Sequence, residues 1–117
     1  MRLIGWIDHQ AELDALVEQV AEASAIGLDT EFVRVSTFHP KPGLIQIALQ
    51  NQAYLIDPFA EIDLKPLGFT LKRGVTSVLH AAQEDYEVLF RLTGYVPTPV
   101  FDTQIAYALL HLSLIHI

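Results

Sequence analysis

The stretch AIGLDTEFVRV, Ala25 to Val35, sets Asp29 and Glu31 two residues apart inside a run that otherwise favours burial. Its β-branched and aromatic residues alternate with period two, which predicts a strand rather than a helix. Residues i and i+2 of a strand project from one face, roughly 6 to 7 Å apart, so the two carboxylates point together. Carboxylates so placed repel each other and resist desolvation unless a cation or a hydrogen-bond network compensates. A divalent cation is the simplest compensation, and a two-cation site needs several carboxylates, so a third acid from another segment is required. Asp85 is the candidate, because it follows the apolar run TSVLHAA where the chain leaves the sheet for a helix, a common place for sites in α/β folds. A plainer account also fits. Asp29 and Glu31 can line the solvent face of an edge strand while Leu28, Thr30 and Phe32 face inward. Gln83, Glu84 and Asp85 sit in a first helical turn, where the helix dipole favours acids whatever the function. Spacing alone leaves both accounts open.

Working outward, Asp8 is expected to cap a helix through about Glu22, since Leu13, Leu16, Val17 and Val20 recur at helical spacing with acids outside them. GLIQIALQ and AYLIDP are short apolar runs separated by polar residues and read as a hairpin, giving a three-strand meander with the opening strand. Pro66 to Arg73 predicts a short helix ending at Gly74, TSVLHAA a buried strand, and EDYEVLFRLTG a helix stopped by Gly94. PTPVFD reads as a short strand and TQIAYALLHL as a helix capped by Asp102. The expected fold is α/β: a mixed sheet, a three-strand meander followed by β-α-β, flanked by helices.

The chain has 117 residues, enough for one domain, and 51% of them are hydrophobic, enough for a core. There is no cysteine, so thiolate metal sites and disulfides are excluded and a metal would be held by oxygen or imidazole. MRLIGWIDHQ lacks the pattern of a secretory signal, and IAYALLHLSLIHI is too short and too interrupted to span a bilayer; a cytoplasmic location without membrane contact is expected. The net charge of −7 has the wrong sign for gripping phosphate backbones over a broad face, so a nucleic-acid role needs another source of attraction. No repeat or low-complexity segment is present, and HPKPG and VPTP are the loop-rich zones.

Taken together, IGLDTEFVRVSTFHPKPGLIQIA, YLIDP and VLHAAQEDYEVLFRLTGYVPTPVFDTQIA resemble the ribonuclease D family, among the DEDD 3′-to-5′ exonucleases. The resemblance runs from about Leu3 to Leu110, with the segments in the family's order; residues 111–117 do not look like it. DTEF is similar to the family's first motif and HAAQED to its second, which implies Asp29, Glu31 and Asp85 as catalytic metal ligands. The resemblance further implies a ribonuclease H-like fold, two divalent cations (Mg²⁺ or Mn²⁺) that activate water and stabilise the leaving 3′ oxygen, and RNA 3′ ends, tRNA precursors among them, as substrates. No obligate protein partner is implied. The cations would reverse the local sign of an acidic site, which answers the charge difficulty.

The family's third motif, a Tyr-x-x-x-Asp, has no counterpart. Tyr54, Tyr86, Tyr95 and Tyr107 are followed four residues on by Pro58, Phe90, Pro99 and His111. The 117 residues therefore read as a partial exonuclease domain, truncated at the C-terminus and inactive by itself. A module that binds RNA or metal without catalysis, or a proofreading-type exonuclease directed at DNA, are the alternatives. Asp102 is left outside the site because helix capping explains it. His80 reads as a hydrogen-bonded structural histidine beside a possible substrate contact, and Phe32 as a core residue or a base-stacking one. His39, His111 and His116 lack partners at ligand spacing, and Lys41, Lys65, Lys72 and Arg73 read as a solvated face.

Overall fold

The computed structural model describes residues 2–33, 41–57 and 59–115; His39 and His116 lie outside these, as does the side chain of Phe32, whose two readings the structure leaves aside. The described residues form β1 (Arg2–Ile7), α1 (Gln10–Glu22), β2 (Ala25–Val33), β3 (Lys41–Leu49), β4 (Gln52–Ile56), α2 (Lys65–Leu71), β5 (Thr76–Leu79), α3 (Gln83–Thr93), β6 (Val100–Asp102) and α4 (Thr103–Ile115). The six strands make one sheet in the order β1-β4-β3-β2-β5-β6. β2 runs antiparallel to β3 and β3 to β4, while β1 joins β4, β5 joins β2 and β6 joins β5 in parallel. The mixed sheet expected from the meander and the β-α-β pattern is present, with the DTEF strand in its interior.

The hairpin between β3 and β4 turns on Gln50 and Asn51, both with positive φ (51° and 63°), the geometry that matches the twist of the flanking strands. Alternation along the strands then decides the faces. Ile26 and Leu28 of β2, Ile45, Ile47 and Leu49 of β3, Ile56 of β4 and Leu79 of β5 point to one side. Leu13, Leu16 and Val20 of α1, Leu67 and Leu71 of α2, and Leu89 of α3 cover that side and close the core. The opposite face carries Asp29, Gln46, Ala48 and Val78, flanked by Trp6 and Phe101, which are 51% and 52% exposed.

Four details differ from the sequence reading. β1 was not anticipated: among the described residues it is an edge strand paired with β4 alone, and Gly5 and the exposed Trp6 break its apolar run. Helix α1 is capped at His9, not Asp8, and without a side-chain bond, because the Asp8 carboxylate is taken by the His9 ring. Lys41 and Pro42, expected in a loop, begin β3 opposite Val33 and Phe32, past a register shift; a strand end beside a bulge is where proline is tolerated. β5 stops at Leu79, so HAA is a turn rather than strand. Gly94, with φ 82°, ends α3 as expected, and its N–H returns to the Phe90 carbonyl at 2.8 Å. Among the described residues no helix is long and apolar enough to cross a membrane.

Candidate active site

Asp29 and Glu31 are both exposed on β2; Asp29 lies on the face away from the helical layer, and the pairing with β3 shifts register at Glu31. Between them Thr30 turns toward the helices and meets Asp85, in the first turn of α3. The Thr30 backbone N–H donates to Asp85 Oδ1 at 3.1 Å, and the Thr30 hydroxyl donates to the same oxygen. Asp85 is only 6% exposed, while its Oδ2 receives no hydrogen bond from the described residues. Thr30 thus brings Asp85 to the C-terminal part of β2, close enough for the charge of Asp29 to act on it, while Asp29 and Glu31 are exposed. The three acids do not converge fully: among the described residues only Asp8, His9 and Glu12 bring three ligand atoms within 4.8 Å of one another, and those are exposed side chains at the start of α1. There the Asp8 carboxylate raises the His9 pKa by its hydrogen bond and charge, an ordinary surface ion pair.

Burial holds the Asp85 carboxyl above the usual carboxylate range; the Thr30 hydroxyl opposes this, and the charges of Asp29 and Glu84 add to the rise. A carboxylate desolvated beside another carboxylate is what a hard cation would relieve, and the donor set is all oxygen, so the residues present fit a divalent cation of the Mg²⁺ or Mn²⁺ type. Because the folded pKa exceeds the unfolded one, ionised Asp85 costs stability, and the cost appears as pH rises through the folded pKa. Asp85→Asn, whose amide oxygen still accepts from Thr30, is therefore expected to melt about 2 to 5 °C higher than the parent at neutral pH in chelator, with the gain vanishing below about pH 4. Thermal scans across pH check this; a variant that melts lower at neutral pH contradicts it.

The turn before α3 is held from the β6–α4 junction. Asp102 Oδ1 accepts from the Ala81 N–H at 3.0 Å and Oδ2 from the Ala82 N–H at 2.8 Å, and Oδ1 also caps α4 through the Gln104 N–H at 2.9 Å. The cap was expected; the tie to Ala81 and Ala82 was not, because bonds between residues some twenty positions apart leave no periodic trace. Ala81 has φ +56°, a left-handed conformation that costs a residue with a Cβ about 1 kcal/mol. The Ala82 bond foremost lowers the Asp102 pKa; burial is next and opposes it, and the bonds to Ala81, Gln104 and Ile105 lower it further. That stabilisation is present above the usual carboxylate range and is lost as pH falls through the lowered pKa. The Thr103 hydroxyl donates to the Leu79 carbonyl at 3.2 Å and lies 2.9 Å from His80 Nδ1, so His80 is hydrogen-bonded, and it shares a groove with Gly27, Asp29, Gln46 and Val78. Lys72 and Arg73 lie over the rings of Tyr95 and Phe69 at 5.5 and 5.0 Å, which accounts for two of the four basic residues structurally.

A mixed sheet in this strand order, with carboxylates at the C-terminal part of an interior strand, is a ribonuclease H-like exonuclease fold. Residues 4–116 match the family described as 3′-5′ exonuclease, and the chain belongs to that family, whose members are metal-dependent. Ribonucleases D are among its relatives. That of Pseudomonas paraeruginosa is 42% identical over 111 residues, covering 94% of this chain and 30% of the relative. The crystal structure of Escherichia coli RNase D superposes with a TM-score of 0.76 at 43% identity, over 86% of this chain and 27% of that one. Trypanosoma brucei RNase D in complex with RNA U12 gives 0.78 at 21% identity over 91% of this chain and 39% of that one, a likeness of fold. The chain spans about 30% of the length of the curated relative from P. paraeruginosa.

Proposed function

We propose that the chain carries part of the catalytic centre of a 3′-5′ exoribonuclease of the ribonuclease D kind, in which Asp29, Glu31 and Asp85 hold two divalent cations, Mg²⁺ or Mn²⁺, against the 3′ end of an RNA such as a tRNA precursor. One observation carries the reading: Thr30, between Asp29 and Glu31 on β2, holds one oxygen of the Asp85 carboxylate through both its N–H and its hydroxyl. E. coli RNase D is described as an exoribonuclease involved in structured RNA processing, which supports RNA over DNA. Bound cations would supply the Lewis acidity that activates water and stabilises the departing 3′ oxygen. The chain's own part is positioning. Thr30 keeps Asp85 turned toward β2, and the interior strand carries Asp29 and Glu31. The groove with Asp29 and His80 is open for the terminal nucleotide. Local cations also reconcile phosphate binding with a net charge of −7. A cytoplasmic location goes with this reading.

The test is Mn²⁺ binding followed by water-proton relaxation for the chain and for Asp29→Asn and Glu31→Gln. Each substitution is expected to weaken binding by at least about tenfold. Equal affinity in Asp29→Asn and the parent removes Asp29 from the site. Binding lost on substitution, in a chain that never shortens RNA even with the family's third motif supplied, favours instead a module that holds RNA or metal without cutting.

A further inference from the structure

We propose that Asp102 is the positioning residue for Asp85, and through it for the cation site; the inference rests on the reading of Asp29 and Asp85 as cation-holding acids. The α3 helix receives no side-chain cap from its own N-cap residue, Ala82. What fixes its start is Asp102, whose two oxygens take the N–H groups of Ala81 and Ala82 and hold the left-handed turn at Ala81. Asp85 follows three residues after Ala82, so the direction of that turn decides where its carboxylate stands. At the other end of the link, Asp85 reaches the Thr30 N–H on β2, next to Asp29. Thr103 adds a second tie between the same two junctions, from its hydroxyl to the Leu79 carbonyl. The link thus runs from the β6–α4 junction through the β5–α3 turn to the acids of β2. A residue whose only task was to cap α4 would need one oxygen on Gln104 or Ile105. Asp102 uses both oxygens, and Oδ2 serves the α3 turn alone.

The two roles separate in Asp102→Ser. A serine at the N-cap still accepts from the first helical N–H groups of α4, but its single hydroxyl oxygen cannot reach the Ala81 and Ala82 N–H groups as well. Mn²⁺ affinity is expected to fall by about tenfold, the usual cost of losing a group that orients a ligand. Val20→Ala, a core substitution in α1 away from the site, serves as the control for lost stability and is expected to leave Mn²⁺ affinity unchanged. Should Asp102→Ser fail to fold, Asp102→Asn carries the same test, because its amide keeps one acceptor oxygen and gives up the other. Unchanged Mn²⁺ affinity in the Asp102 variant, with Asp29→Asn and Asp85→Asn both weakened, overturns the positioning role and leaves the site standing. A fall equal to that in Val20→Ala also overturns it, as an effect of stability alone. If Asp29→Asn and Asp85→Asn bind as the parent does, the cation site falls and the positioning role with it.

Discussion

Incubated with 3′-labelled and 5′-labelled RNA in Mg²⁺ or Mn²⁺, the 117-residue chain is expected to shorten the 3′ end at least about 100-fold more slowly than E. coli RNase D assayed beside it. The reason lies in what the sequence holds. Holding an attacking water in line and completing the coordination of two cations both need preorganised groups, and losing one such group commonly costs about 100-fold or more. The Tyr-x-x-x-Asp that the family resemblance assigns to these tasks is absent from the chain. The loss of both groups falls short of the product of the two, since groups that act as a unit are not additive. Appending the segment of the E. coli relative that bears the motif is expected to restore stepwise trimming that chelator stops. Trimming by the 117 residues at a rate near that of the relative would show the missing motif to be dispensable.

The largest effect on stability is expected at Gly68. A Cβ there would meet Cβ and Oγ1 of Thr93 at 2.4 Å each and Cδ2 of Tyr95 at 3.0 Å. Thr93 cannot give way readily: it is 2% exposed, its hydroxyl donates to the Leu89 carbonyl at 2.7 Å, and it accepts from the Tyr95 N–H at 3.1 Å. Gly68→Ala therefore pushes α2 off α3 and is expected to cost about 3 kcal/mol, a fall in melting temperature of roughly 12 °C for a domain of this size. Gly5→Ala is the control. Among the described residues nothing lies within 4 Å of its added Cβ, so its midpoint should move little in the same denaturation series. Equal effects at the two glycines would mean that α2 and α3 are not packed as described.

Much of this architecture was legible in the residues. The hairpin and the interior strand followed from apolar runs with a polar break, and Gly94 marked the end of α3 because only a residue free to take positive φ ends a helix that way. The facing of β2 was legible too, since period two puts Asp29 opposite Leu28. Thr30 was read only as an inward residue. That it grips Asp85 fifty-five positions later depends on where α3 packs, which no local pattern encodes. β1 escaped for another reason: its run is short and is interrupted by Gly5, so it leaves little pattern. Asp102 was correctly read as a cap, and its second hold, on Ala81 and Ala82, became visible only once β6 was laid beside β5.

The mixture of antiparallel and parallel pairing around β2 also orders events in time. β3 and β4 are joined by a two-residue turn, and hairpins of that kind close in about 1 to 10 μs. β5 pairs with β2 across the longer connection through α2, and contacts at such sequence separation are slow to form because of the chain entropy lost on closure. Asp29 and Glu31 therefore ride on a meander able to form early, whereas Asp85 arrives with α3 after the crossover is made. A cation that needs all three acids has nothing complete to bind until then, so its binding favours the finished fold over any partly formed one. At a free concentration 100 times its dissociation constant, a cation bound only by the folded chain adds about 2.7 kcal/mol to stability. The acids that make the folded chain costly in chelator become, with the cation present, a reason for it to stay folded.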